Sequence, residues 1–301
     1  MKAAAYHEYG PPEVLQLVDL PDPVPGPGEL RVRVKAAGVQ PFDVKLRGGG
    51  VGTIDVRFPA VPGNEFAGVV DAVGEGVDGV AVGDEVLGFG SAGCAAELVV
   101  APAANAVPKP AEMPWEVAGA LSASGQTALM ALQALQVGAG DTVLVHAAAG
   151  GVGSMAVQLA RAWGATVIGT ASPANHDFLR SLGATPVSYG AGMVDAVRAV
   201  APDGVDAALD CIGGDALAQC VELCDHRDRI GTLVAYDEAK RLGAVGISGK
   251  ATGARLAELV ELWRRGALAV HVRAAYPLAE AAGAHRDVET GHGRGKVVIL
   301  V

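Results

Sequence analysis

The chain has 301 residues, with 33 acidic and 23 basic side chains and a net charge of −10. That charge argues against nucleic-acid binding, which needs a cationic footprint. Half of the residues are apolar, enough for a substantial core, and the length predicts about two domains. No run of about 20 apolar, charge-free residues is present, so no membrane-spanning helix is expected. The opening MKAAAYHEYGPPEV has no apolar core of a signal peptide, which makes the cytoplasm the expected compartment.

Along the first 110 residues, Pro and Gly interrupt the chain every few positions. Short strands are expected between the breaks, at 30–36, 68–73, 84–88 and 97–100, as in an all-β unit with tight turns. The GGGVG run at 48–52 reads as a mobile loop. From Pro114 onward, helical stretches alternate with apolar strands. Strands are expected at 142–146, 166–170, 186–188, 205–210, 229–235 and 243–247. Helices are expected at 152–163, 175–182, 194–200 and 215–224. Buried strands alternating with helices predict a parallel sheet covered on both faces. Ser172-Pro173 is a capped helix start and Gly183 a helix stop. After a helix at 255–265 the pattern returns to short strands, ending at 296–301. One domain is therefore expected from residues 1–118 and 255–301, with a second, 119–254, set between its two parts. Among the cysteines, Cys94, Cys211, Cys220 and Cys224, a disulfide scaffold is not expected in a chain of this size. Cys220 and Cys224 lie one helical turn apart, but no ligand set surrounds them in sequence, so they read as buried apolar residues and no metal is expected.

The most informative segment is TVLVHAAAGGVGSMAVQLARAWGATVIGTAS, residues 142–172. A strand runs into Ala149-Gly150-Gly151-Val152, which opens a helix, and a second strand follows. Glycines at such a turn admit a diphosphate close to the backbone, and the helix N-terminus offers it free N–H groups and a positive dipole end. Strand, turn, helix and second strand fall within about 30 residues, the spacing of a dinucleotide site. The other reading is a glycine-rich packing turn without a ligand. An NAD site carries Asp or Glu about 20 residues past the glycines. Here stand Thr170, Ala171 and Ser172, with no carboxylate before Asp177. The expected cofactor is therefore NADPH, with Thr170, Ser172 and His176, and Arg180 nearby, receiving its 2′-phosphate. As the alternative, these are ordinary capping and surface residues.

Several motifs along the whole chain resemble the medium-chain dehydrogenase/reductase superfamily, and most closely its zinc-independent quinone oxidoreductase and NADP-dependent enone reductase branch. They are YGPPEVL at 9–15, VKAAGVQPFD at 34–43, PGNEFAGVV at 62–70, GDEV at 83–86, SGQTA at 124–128 and HGRGKVV at 292–298. The resemblance implies an α/β fold, a Rossmann doubly wound parallel sheet inserted in a GroES-like β-rich domain. It also implies a homodimer, with the strand at 243–247 extending the sheet. Where zinc-dependent members carry Cys and a His-Glu pair, this chain has Gln40 and Asn64-Glu65, and the structural zinc lobe is missing. Amides are poor zinc ligands, so zinc-free chemistry is implied, in which hydrogen-bond donors stabilise an enolate or hydroquinone.

By resemblance, Gln40 touches the nicotinamide ribose or the substrate carbonyl, or else scaffolds its loop. Asn64 contacts substrate or ribose, or belongs to a buried network. Thr127 lies near the nicotinamide. Asp210, Cys211 and Ile212 run along the cofactor, Tyr189 stacks near the adenine or fills core, Tyr236 faces the nicotinamide side, and Arg294 reaches a phosphate or makes a surface ion pair. The tyrosine and lysine proton donors of related enoyl reductases have no equivalent here: no Tyr occurs between Pro41 and Pro62, and Asn175 stands near the lysine position. The expected function is NADPH-dependent reduction of a small quinone or α,β-unsaturated carbonyl compound. An enoyl reductase of secondary metabolism and a non-catalytic NADPH sensor are the alternatives.

Overall fold

Pro- and Gly-punctuated apolar stretches at the two chain ends form short strands, paired antiparallel except for the parallel pair 272–277 with 296–300. The computed structural model describes residues 1–52 and 55–301. One unit comprises Met1–Ala123, Ala251–Glu261 and Val270–Val301; the other comprises Ser124–Lys250 and Leu262–Ala269. In the first, β1 (Lys2–Ala5) pairs with β2 (Gln16–Asp19). β3 (Glu29–Val39) is followed by a short helix, α1 (Pro41–Arg47), then β4 (Glu65–Val73), β5 (Glu85–Phe89), β6 (Leu98–Pro102) and β7 (Ala106–Pro108). α1 was not anticipated. Pro41 supplies the φ of a first helical turn, Asp43 accepts the Gln40 N–H at 2.8 Å, and Gly49 at φ 76° closes the other end. β3 and β4 approach closely at Gly68, where a Cβ would lie 2.1 Å from the Arg33 carbonyl oxygen. A longer helix, α2 (Trp115–Ala134), contains the break after Ala123.

In the second unit, β8 (Thr142–Val145), α3 (Gly151–Ala162), β9 (Thr166–Ala171), α4 (His176–Ser181), β10 (Thr185–Ser188), α5 (Met193–Val200), β11 (Ala207–Asp210), α6 (Ala216–Leu223), β12 (Ile230–Thr232), α7 (Tyr236–Leu242) and β13 (Val245–Gly246) alternate strand with helix. The strands are parallel in the order β10-β9-β8-β11-β12-β13. Counted within the unit, that order is 3-2-1-4-5-6, the doubly wound arrangement of dinucleotide-binding sheets. Leu144, Ile168, Val197, Leu217 and Ile230 form its buried core, and Cys220 and Cys224 pack there too. Two strands fall furthest short of the expected lengths. The one sought at 229–235 stops at Thr232, whose Oγ1 accepts the N–H groups of Val234 and Ala235 and turns the chain into α7. The one sought at 243–247 is two residues long, because Gly243 at φ 73° is still closing α7.

The chain then forms α8 (Gly253–Arg264), β14 (Val272–Pro277), α9 (Ala281–Glu289) and β15 (Lys296–Leu300). β14 and β15 complete the first unit's sheet, ordered β14-β15-β3-β4-β5-β7, with β6 also on β3. α9 replaces an expected strand region. Its buried face is Ala281, Ala284 and His285, too small and polar to read as an apolar helical stripe. No helix among the described residues is long and apolar enough to cross a membrane.

Candidate functional site

In the second unit, strand order reverses between β8 and β11, the position where open α/β sheets bind ligands beyond the strand ends. The turn after β8 is built for close approach. Ala147 takes φ 52°, a conformation that costs a side-chain-bearing residue energy and must be held by its surroundings. Thr170 at the end of β9 holds it: its carbonyl oxygen accepts the Ala148 N–H at 2.9 Å and its Oγ1 the Ala147 N–H at 3.2 Å. Ala149 is buried and Gly150, Gly151 and Val152 are half-buried at the mouth of α3. The first intrahelical bond is donated by the Ser154 N–H to the Gly150 carbonyl, so the amides of Gly151, Val152 and Gly153 have no partner within the helix. A Cβ on Gly153 would sit 2.4 Å from the Ala147 oxygen and 2.7 Å from the Ala148 Cα; only glycine lets helix and turn meet there. A shaped turn at the mouth of a 12-residue helix suits a diphosphate.

Thr170, expected to receive a phosphate, is 1% exposed. Its burial beneath the turn makes it a support of that turn. His146 lies beside it, with Nδ1 3.2 Å from Thr170 Oγ1 and Nε2 buried without a partner. Burial pushes the His146 pKa down to about 4, and Asp210 opposes this weakly. Sequence reasoning missed His146; the signal was its place immediately before the glycine turn.

The tips of β9 and β10 lie side by side in register, Ser188 opposite Ala171. Ser172 Oγ accepts from Asn175 Nδ2 at 3.3 Å, and His176 Nε2 lies 3.4 Å from Ser188 Oγ. Tyr189 follows, 58% exposed. The acidic residue nearest in sequence, Asp177, is paired with Arg180 at 2.6 Å, which commits Arg180 to that bridge. At the tip of β11, the buried Asp210 accepts the N–H groups of Ile212 and Gly213 through Oδ1 and the Thr232 hydroxyl through Oδ2 at 2.6 Å. Cys211 is half-buried, its thiol pKa raised by desolvation, and Ile212 is exposed. Tyr236 opens α7 and donates its hydroxyl to the Ile247 carbonyl at 3.0 Å, bracing β13. Thr127 is half-buried on α2.

In the first unit, Gln40 and Glu65 come together. Gln40 Nε2 donates to Glu65 Oε1, which also accepts Lys296 Nζ at 2.9 Å, and Glu65 Oε2 accepts the Ala123 N–H at 2.7 Å. All three side chains are at least nine-tenths buried. Gly38 on β3 makes the room, since a Cβ there would fall 2.0 Å from Glu65 Oε1. Asp43 accepts the N–H groups of Gln40 and Gly63, and burial raises its pKa to about 6. The Asn64 Oδ1 is buried without a partner. Arg294 is exposed in the loop before β15. These residues do not fit a zinc ion. Gln40 and Asn64 present amides, both Glu65 oxygens are already engaged, and one is paired with an ammonium that would repel a dication. Lys296 was not picked out as a site residue from the sequence, where a lone lysine opening an apolar strand looks solvent-facing.

Residues 26–111 match the alcohol dehydrogenase GroES-like domain and residues 182–299 match the zinc-binding dehydrogenase family. The synaptic vesicle membrane protein VAT-1 homolog of Mus musculus is 39% identical over 73% of this chain and 54% of its own length; the chain thus spans about half of that relative. The quinone oxidoreductase of Mus musculus is 30% identical over 100% of this chain and 98% of its own. Among solved structures, the quinone oxidoreductase from Coxiella burnetii superposes with a TM-score of 0.93 at 34% identity, covering 100% and 99% of the two chains. The mycobacterial protein Rv1454c, solved in complex with NADPH, superposes with a TM-score of 0.88 at 31% identity, covering 100% of each. With its GroES-like and Rossmann architecture and a donor set unsuited to zinc, the chain belongs to the medium-chain dehydrogenase/reductase superfamily, in its zinc-independent quinone oxidoreductase branch.

Proposed function

We propose that the chain is an NADPH-dependent oxidoreductase that reduces quinones or α,β-unsaturated carbonyl compounds by hydride transfer without zinc. The observation that carries the reading is the pairing of a diphosphate-shaped turn with a strand tip free of unpaired carboxylate. In this reading the amides at Ala149, Gly150, Gly151 and Val152 hold the diphosphate. Ser172 and His176, beside Ser188, take the 2′-phosphate, and Tyr189 lies along the adenine. Asp210 shapes the loop of Cys211 and Ile212 against the cofactor, while Thr127 and Tyr236 are assigned to the nicotinamide end and Arg294 to a phosphate. When bound, NADPH supplies the hydride. Gln40 orients the acceptor carbonyl, with Asn64 as a second polar contact, and charge developing on the acceptor oxygen is met by hydrogen-bond donors. A homodimer joined along the β13 edge accompanies this reading.

The test is calorimetry with NADPH and NADH, followed by NADPH oxidation with 9,10-phenanthrenequinone and with an enone. Ser172→Asp puts a carboxylate beside the phosphate and is expected to weaken NADPH about tenfold or more relative to NADH. An equal effect on both cofactors refutes the phosphate assignment, and tight NADPH binding without turnover of any acceptor refutes the enzyme.

A further inference from the structure

The buried trio of Gln40, Glu65 and Lys296 does more than fill space. Four segments converge on one carboxylate: Gly38 of β3 leaves room for it, Gln40 at the start of α1 and Lys296 of β15 both donate to its Oε1, and the Ala123 N–H of α2 holds Oε2. Lys296 and Glu65 are 231 residues apart in sequence. A buried ion pair is a poor way to gain stability, because desolvating two charges consumes most of the attraction and well-packed apolar residues often do as well. What the pair does supply is geometry. A planar side-chain amide has a single orientation once one N–H is committed. Glu65 can set that orientation only if its own carboxylate cannot rotate, and the Lys296 ammonium on Oε1 with the Ala123 backbone N–H on Oε2 prevents the rotation.

We propose that Lys296 is a positioning residue for the Gln40 amide, acting through the buried carboxylate of Glu65. This rests on the reading of Gln40 as the group that meets the acceptor carbonyl. Lys296 itself touches neither cofactor nor acceptor in this scheme; it fixes the plane of the amide that does.

The experiment compares the full-length chain with Lys296→Met, Gln40→Ala and their combination. Lys296→Met is expected to lower kcat with 9,10-phenanthrenequinone about ten- to a hundredfold, the worth of one charge-assisted hydrogen bond. The dissociation constant for NADPH stays put, because the diphosphate turn belongs to the other unit. Added to Gln40→Ala, the same change has no further effect; losses that multiply overturn the proposal. Because Lys296→Met strands a buried carboxylate and risks unfolding, Glu65→Gln with Lys296→Met removes both charges together. That pair is expected to recover the melting temperature and keep the low kcat. Recovery of both means the ion pair is only structural, which overturns the proposal.

A readout without turnover separates this idea from the assigned activity. In 15N-labelled protein the Gln40 side-chain amide protons are expected to exchange slowly, and at least about tenfold faster in Lys296→Met. Unchanged exchange overturns the positioning role. If the wild type reduces no acceptor, the enzyme reading falls while the exchange measurement still decides whether Lys296 holds the amide.

Discussion

Acid should loosen the turn after β8 through His146. The unfolded histidine takes up a proton near pH 6.5, whereas the folded one resists it down to about 4 because burial disfavours the charge. Between those values the unfolded state holds more protons than the native state, so stability falls as the pH falls. The slope is about 1.4 kcal/mol per pH unit for one such group, so going from pH 6.5 to 5 costs about 2 kcal/mol. His146→Leu removes that sensitivity. It also deletes the contact with Thr170 Oγ1, a loss of about 1 kcal/mol that does not depend on pH. The penalty of the substitution at pH 7 should therefore exceed its penalty at pH 5 by about 2 kcal/mol. Urea unfolding followed by tryptophan fluorescence reads this, since Trp163 caps the C-terminal end of α3. Two buried groups of the other unit also have shifted pKa values: His285, pushed down to about 3 by burial and by Arg47, and Asp43, pushed up to about 6 by burial. Both are present in wild type and variant and cancel in the difference. Equal penalties at the two pH values would refute the assignment of His146 as a buried neutral imidazole.

Gly153→Ala drives a methyl group into the Ala147 carbonyl and should weaken NADPH about ten- to a hundredfold, as cradle hydrogen bonds worth about 1 kcal/mol each are misaligned; calorimetry giving wild-type affinity contradicts the cradle. Arg229 bonds both oxygens of Asp141 and the carbonyls of Leu135 and Gln136 beyond α2. Arg229→Ala should cost about 2 kcal/mol, since hydrogen bonds of charged groups are lost and Asp141 keeps only the Gly138 N–H. An unchanged urea midpoint would mean those contacts contribute nothing net.

The second unit was largely legible in the sequence because its signals are local. Apolar strands, a glycine turn at fixed spacing and helical stretches occur in order, and the parallel sheet follows from them. The first unit was legible as β-rich, and the helix expected at 255–265 is found as α8, but α1 and α9 were not read. α1 has seven residues between Pro41 and a glycine run, and α9 buries alanines and a histidine, so neither carries an apolar period. At the candidate site, the shape of the glycine turn and its place before α3 were readable because strand, turn and helix fall within about 30 residues. The burial of Thr170 was not readable, because sequence does not reveal which face of a strand end is buried. Lys296 was missed because nothing near it in the chain announces a partner on β4. His146 was passed over because an apolar strand ending in histidine gives no hint that its Nε2 is left unmet.

One consequence concerns the loops after β11 and β12. The Asp210 carboxylate ties the Ile212–Gly213 backbone to the Thr232 hydroxyl, and that hydroxyl in turn ties down Val234 and Ala235. Through this one side chain the two loops are stitched into a single lip. Cutting the stitch at Thr232 releases Val234 and Ala235 and uncouples the two loops, while Ile212 and Gly213 stay tied to Asp210.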